Sequence, residues 1–168
     1  MSMIIPPFDM DLGGPVELHL FGGCCLEAQR SDTVALQIEG LRFAMGENND
    51  IHMTVMVDEI RACARVLREL ADLSQIHQER IRVVLNHLNV VLPCLSRTLR
   101  DITTHYEDRR MSKKNRWRTM YHGMAEEAEG LTLPHRFKLY NYFLTSLRNV
   151  LIRYVVCRVC DAISWATG

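Results

Sequence analysis

The clearest pattern of hydrophobic and polar positions lies between Asp50 and Tyr106. In its first half, apolar side chains recur at steps of three and four while charged side chains occupy the other face, which is typical of an amphipathic helix. The apolar stripe consists of Met53, Met56, Val57, Ile60, Cys63, Ala64, Leu67, Leu70 and Ala71. This pattern predicts a helix over 50–73.

A second stripe begins after Ser74, which we predict to be its N-cap. The stripe passes from His77 to Tyr106 and keeps its phase across Pro93. Proline has no amide proton and crowds the carbonyl four residues earlier, so the chain is either a kinked helix or two helices that meet there. We favour one kinked helix over 75–106, folded back so that the two stripes cover each other.

Two further helices follow a polar connection. The first, over 115–129, has one apolar face and is followed by Gly130 at the C′ position, where helices often end. The second, over 133–158, begins with Thr132 as N-cap and Pro134 in the first turn. Its apolar stripe contains Phe137, Tyr140, Leu144, Leu147, Leu151 and Tyr154, and a second line contains Leu139, Phe143 and Val150. We expect Leu144 and Leu147 to face the Leu88 to Ile102 stripe in the core.

Residues 1–49 carry many glycines and prolines and no long helical period. Short alternations at 16–20 and 34–38 have the spacing of strands, so a small hairpin is one interpretation and a loosely ordered arm is the other. The sequence therefore predicts an all-α bundle of four or five helices over 50–168, preceded by an N-terminal arm of low order over 1–49.

Composition limits the function classes. The 168 residues carry 20 basic and 20 acidic side chains, so no global field favours nucleic acid or an anionic membrane. The six cysteines include Cys63 and Cys94 on apolar stripes, where a disulfide framework would not place them. We expect reduced cysteines and an intracellular, cytoplasmic location, with no signal peptide or transmembrane helix.

Catalytic and metal-binding patterns are sparse. Cys157 and Cys160 form one CxxC pair, but a structural zinc site takes four ligands, so we interpret them as ordinary semi-buried cysteines. His122 with Glu126, and Asp101 with His105, have i,i+4 spacing, which favours surface pairing on a helix. No HExxH, GxSxG, P-loop or GxGxxG occurs. We expect no catalytic residue, no metal and no cofactor.

One basic cluster surrounds Trp117 and is a candidate contact for phosphate or a protein partner. Its members are Arg109, Arg110, Lys113, Lys114, Arg116 and Arg118. Basic side chains around an aromatic ring are also typical of nucleic-acid contacts. Trp117 lies on an apolar stripe, however, and a ring that faces the core cannot stack on a base. We therefore favour a solvated connection with Trp117 turned inward.

The segment from Phe143 to Trp165 is apolar enough to raise a membrane interpretation. It is interrupted by Arg148, Arg153, Arg158 and Asp161. A central charge costs about 2.5–3.5 kcal/mol on insertion scales. A spanning helix is disfavoured, whereas an interfacial helix stays open as an alternative.

Four blocks of the sequence carry a family resemblance over residues 50–152. They are DEIRACARVLRELADL, HLNVVLPCLSRTLRDI, RWRTMYHGM and LTLPHRFKLYNYFLTSLRNVL. In this order they resemble a helical domain found in many uncharacterised fungal proteins. More loosely, the layout is similar to the helical N-terminal domains of fungal NTPase receptors. The resemblance implies a helical fold and brings no catalytic residues.

These observations predict a non-catalytic, intracellular helical module that contacts proteins. We expect a protein partner or self-association, because the apolar stripes are wider than a short bundle needs. A membrane-associating helical domain is the alternative, and contact of nucleic acid with the 109–118 cluster is a lesser one. We expect no small-molecule substrate.

Overall fold

Five α-helices form the described chain. The computed structural model describes the backbone of residues 13–46 and 51–166, and the side chains of 22–46 and 51–153. The helices are α1 (Gly13–Met45), α2 (Ile51–Ile76), α3 (Ile81–Glu107), α4 (Lys113–Glu127) and α5 (Leu133–Ala166), with a 3-10 turn at Gln78–Arg80. Within these ranges no strand occurs, so the predicted all-α class is confirmed.

The expected N-terminal arm is wrong for residues 13–45, which form the 33 residues of helix α1. The hairpin interpretation of 16–20 and 34–38 is wrong for the same reason. One face of α1 is buried at helical spacing, through Cys24, Glu27, Ala28, Ser31, Val34, Ala35, Ile38 and Leu41. Because Glu27, Ser31 and two alanines belong to this face, apolar repeats alone do not reveal it. Residues 1–12 lie outside the described residues.

The four long helices form a ring. α1 contacts α2, α2 contacts α5, α5 contacts α3, and α3 contacts α1, while α4 packs on α1, α3 and α5. α2 and α3 therefore occupy opposite corners of the bundle, and the expectation that their stripes cover each other is wrong. The stripe of α2 instead faces its neighbours α1 and α5, since α1 supplies the partner that the sequence pattern did not show.

Polar contacts give the direction of each helix. Glu39 of α1 contacts Arg61 of α2 and Asp32 contacts Arg68, so these helices are antiparallel. Residues Arg30 and Gln37 of α1 bond to Ser96 and Thr103 of α3, each seven residues further along, so α1 and α3 are parallel.

The same reasoning orients α5. Its Asn141 and Arg148 bond to Glu59 and Glu69, which makes α5 parallel to α2. Since α2 is antiparallel to α1, and α1 is parallel to α3, α5 runs antiparallel to α3.

Several helix ends differ from the predicted ones. Ser74 is not an N-cap: it lies buried inside α2, and its hydroxyl donates to the Leu70 carbonyl. α3 continues through Pro93, which is exposed, so the prediction of one helix there is confirmed. α4 ends in a Schellman turn, in which the Glu129 amide donates to Glu126 and the Gly130 amide to Ala125. Gly130 therefore lies at C″ rather than at C′.

The core contains most of the predicted stripes of α2 and α3, and that of α5 as far as Leu151; the side chain of Tyr154 lies outside the described ones. Phe137, Leu144 and Leu151 of α5 are buried, and Leu147 is 7% exposed, so the core placement of Leu144 and Leu147 is confirmed. α5 contacts α2 more extensively than α3, however. The α3–α5 contact is consequently the more open side of α5, and this is where the candidate site lies.

Candidate interaction groove

An apolar groove of about 480 Å³ lies between α3 and α5. We call it the α3–α5 groove. Its wall on α3 is formed by Asn86, His87, Val90, Val91 and Cys94, and its wall on α5 by Leu139, Tyr140 and Phe143. A volume of this size falls within the usual range of ligand-binding clefts, and most of the lining is hydrophobic.

The groove exposes side chains that a helical bundle normally buries. Val90 is 66% exposed, Leu139 is 50% exposed and Phe143 is 49% exposed. Val83 lies seven residues before Val90, and Val150 lies seven after Phe143, and both are also exposed. The apolar surface therefore extends beyond the named walls, by three residues or about 5 Å on α3 and by seven residues or about 10 Å on α5.

The sequence places these side chains on a second line of each helix. Val83, His87, Val90 and Cys94 follow one another at steps of four and three, next to the buried line that contains Leu88 and Leu95. On α5 the line of Leu139, Phe143 and Val150 was identified from the sequence as a widening of the apolar face. The structure shows that this widening is exposed to solvent. The matching line on α3 was missed, although its spacing was visible.

One end of the groove is closed by a polar contact. The hydroxyls of Tyr140 and Thr98 share a hydrogen bond of 2.9 Å, and the ring of Phe137 packs edge-on against Tyr140 at 5.8 Å. Burial raises the pKa of the Tyr140 phenol, although the hydrogen bond with Thr98 opposes this rise. Tyr140 is therefore a neutral, fixed wall at ordinary pH.

The cysteines of the described side chains are all free thiols, but they occupy two kinds of environment. Cys24 and Cys63 are buried, and burial raises the pKa of each thiol to about 12. Cys25 and Cys94 are exposed, and Cys94 lies in the α3–α5 groove. A thiol held neutral and buried is a poor nucleophile, so the two buried cysteines serve as small core residues.

The predicted basic cluster divides into two parts. Arg116 turns towards the protein, where its guanidinium donates to the carbonyls of Tyr106, at 2.6 Å, and Met111, at 3.2 Å. It thereby ties the end of α3 to the start of α4. The other members, Arg109, Arg110, Lys113, Lys114 and Arg118, are exposed.

Trp117 is 3% exposed, so the prediction that this ring turns inward is confirmed. Its indole packs against Tyr121 at 5.5 Å, and Tyr121 packs against His52 at 5.4 Å. Together with Lys114, Arg118, His122 and Met45, these rings line a second, more polar cavity. The buried indole contributes no free face on which a base could stack.

The remaining candidates do not assemble into a catalytic or metal centre in the described chain. Asp101 lies 3.9 Å from Arg97, and His122 packs against the ring of Tyr121. No group of three potential metal ligands occurs within the side chains of 22–46 and 51–153. Cys157 and Cys160 lie beyond these side chains. Among the described residues no helix is long and apolar enough to cross a membrane.

No family model, no curated protein and no solved structure matches this chain. The resemblance to a fungal helical domain therefore stays a prediction.

Proposed function

We propose that this chain is a non-catalytic helical protein-interaction module that works inside the cell and binds an apolar helical segment in the α3–α5 groove. The observation that carries the proposal is the exposed apolar line on each of two adjacent, antiparallel helices. Recognition of an amphipathic helix by a hydrophobic groove is a recurrent mode of peptide binding, and two helices supply a firm frame for it.

The shape of the surface favours a protein segment over a flat membrane contact. The apolar side chains line a concave space between two helices, so a rod of side chains can enter it, whereas a lipid surface meets convex faces more readily. An interfacial membrane domain is the second candidate, because the same region combines exposed apolar and basic side chains. Vesicle binding distinguishes the two candidates.

The test uses a matched pair of phenylalanines. Phe143→Asp places a charge in the groove, and Phe43→Asp places the same charge on α1, where Phe43 is 74% exposed. The full chain and both variants are used to capture proteins from the native host lysate, and the captured proteins are quantified by mass spectrometry.

We expect Phe143→Asp to lose a specific partner that both the parent chain and Phe43→Asp retain. Cross-linking from the groove should then place a helical segment of that partner against α3 and α5. If no protein depends on Phe143, or if both variants lose the same proteins equally, the proposal is wrong. Light scattering of the three proteins at high concentration checks self-association by the same surface.

A further inference from the structure

The two helices that form the α3–α5 groove carry no acidic side chain along the groove. Neither Asp nor Glu occurs in α3 from Ile81 to Arg100, or in α5 from Leu133 to Arg153. Glu79 and Asp101 are the acidic residues that border the α3 run. The chain as a whole carries equal numbers of acidic and basic side chains, so the acidic ones are concentrated outside these two segments.

An arginine continues each apolar line at its C-terminal end. On α3 the line of Val83, Val90 and Cys94 continues at the next helical step to Arg97. On α5 the line of Leu139, Phe143 and Val150 continues in the same way to Arg153. Since α3 and α5 are antiparallel, Arg97 and Arg153 lie at opposite ends of the groove.

One position before each apolar line lies a further exposed basic residue, whose side chain is turned about 100° around the helix from that line. Lys138 precedes Leu139 at the end marked by Arg97, where Thr98 and Tyr140 are joined. Arg82 precedes Val83 at the end marked by Arg153. All four basic side chains are exposed. The only ion pair recorded for any of them in the described chain is a long one, 3.9 Å, between Arg97 and Asp101.

We propose that the occupant of the α3–α5 groove is an amphipathic helix of a partner protein with an apolar stripe and acidic side chains at both ends. The inference rests on the proposed function and specifies the chemistry of the partner. Arg97 lies 14 residues after Val83, or about 21 Å along the helix, which corresponds to about four turns of the partner. Apolar contacts supply the burial, and the acidic ends meet the basic ends of the groove.

A second copy of the chain fits this surface poorly. A symmetric dimer through the groove would bring the same basic face of both copies together, and like charges in an interface are unfavourable. The charge pattern therefore favours a different protein that carries the opposite charge.

A display experiment on the full chain tests the proposal. The probe is a library of 18-residue helical peptides with a fixed leucine stripe, in which the two end turns vary among Glu, Gln and Lys. We expect selection to enrich Glu over Lys at both ends. The affinity of the best peptide is then measured for Arg97→Glu/Arg153→Glu and for the control Arg109→Glu/Arg118→Glu, which changes the net charge equally.

The groove variant should bind the peptide at least roughly 2- to 30-fold more weakly, because two exposed ion pairs are lost and the reversed charges repel the acidic ends, and the control should bind it like the parent. Selection without an acidic preference, or equal weakening by both double variants, would overturn the acidic partner. Val90→Asp separates the two proposals: if it leaves peptide binding unchanged, the groove is not the site and the proposed function fails as well.

Two further outcomes count against the acidic helix. One is a failure to enrich any peptide, which contradicts both proposals. The other is binding of the chain to phosphatidylserine vesicles. If Arg153→Glu abolishes this binding and the selected peptide does not inhibit it, the surface is a membrane contact.

Discussion

α2 and α3 occupy opposite corners of the same bundle, but different side chains border their contacts. Charged pairs border α2 on both sides: Arg61 contacts Glu39 of α1 at 2.7 Å, and Glu69 contacts Arg148 of α5 at 2.6 Å. Between α3 and α5, the described side chains form one hydrogen bond, between Thr98 and Tyr140, and no ion pair. Apart from Asn86 and His87, the remaining side chains that line the groove are hydrophobic or, in Cys94, a thiol.

The difference shows at which helix contacts the hydrophobic side chains are covered and at which they are exposed. At the edges of α2, polar side chains meet water and apolar ones lie beneath them, as in an ordinary bundle. At the α3–α5 edge the outer line is itself apolar, so Val90 and Phe143 leave hydrophobic surface in water. Contiguous exposed apolar surface bordered by polar side chains is a common mark of interaction sites.

The largest expected effect separates two neighbours on α5. Leu144 is fully buried, and Leu144→Ala should lower the free energy of unfolding by about 2–5 kcal/mol, because it removes core contacts and leaves a cavity. Phe143→Ala should cost clearly less, since about half of that side chain is already exposed. Urea denaturation of both variants measures the difference. Equal losses would mean that the groove side of α5 is packed as tightly as the core.

The free energy of unfolding should depend on pH through two buried thiols, Cys24 of α1 and Cys63 of α2. Burial raises both thiol pKa values from 9.0 to about 12. Below pH 9 these thiols are protonated in both the folded and the unfolded protein. Between pH 9 and 12 the thiols of the unfolded protein lose protons that those of the folded protein keep, so the free energy of unfolding falls as pH rises. Each thiol contributes up to about 1.4 kcal/mol per pH unit.

Urea denaturation between pH 8 and 10.5 checks this dependence. The decline in the free energy of unfolding should be shallower in Cys24→Ala/Cys63→Ala than in the parent. A slope unaffected by this double substitution would show that these thiols do not control alkaline stability.

The smallest effect concerns the ion pairs that border α2. The side chains of Arg68 and Asp32, which form an ion pair across the α1–α2 contact, are 50% and 46% exposed. An exposed pair of this kind typically contributes about 0.2–1 kcal/mol, so Arg68→Ala should lower stability by no more than that, and less at 1 M salt. A loss above about 2 kcal/mol would show that the Arg68–Asp32 pair stabilises the α1–α2 contact more than an exposed ion pair normally does.

The sequence predicted the helices that carry a continuous apolar stripe and failed where a helix buries polar or small residues. The stripes of α2, α3 and α5 were visible because hydrophobic side chains recur in them at helical spacing without interruption by a charged residue. α1 was missed because its buried face includes Glu27 and Ser31, and because Gly22 and Gly23 resemble a turn in sequence. A buried glutamate is recognisable only when its partner is known. Arg30 forms an ion pair with Glu27 and also donates a hydrogen bond to Ser96 of α3, which lies 66 residues further along the chain.

The groove was predicted only in part, for a related reason. The outer line of α5 was visible at Leu139 and Phe143, but a sequence does not say whether a second apolar line faces a neighbour or solvent. That depends on the order in which the four long helices surround the core. Because α1 lies beside α2, α3 takes the opposite corner and shares an open edge with α5.

The most direct measurement of the central claim uses two exposed thiols of the same molecule. Cys94 lies in the α3–α5 groove, and Cys25 lies on α1 outside it. The full chain is treated with excess iodoacetamide, once purified and once in native host lysate, and the ratio of Cys94 to Cys25 modification is read by mass spectrometry. An occupied groove predicts that this ratio falls in lysate and recovers with Val90→Asp. An identical ratio in both conditions would contradict the claim that the groove binds a partner.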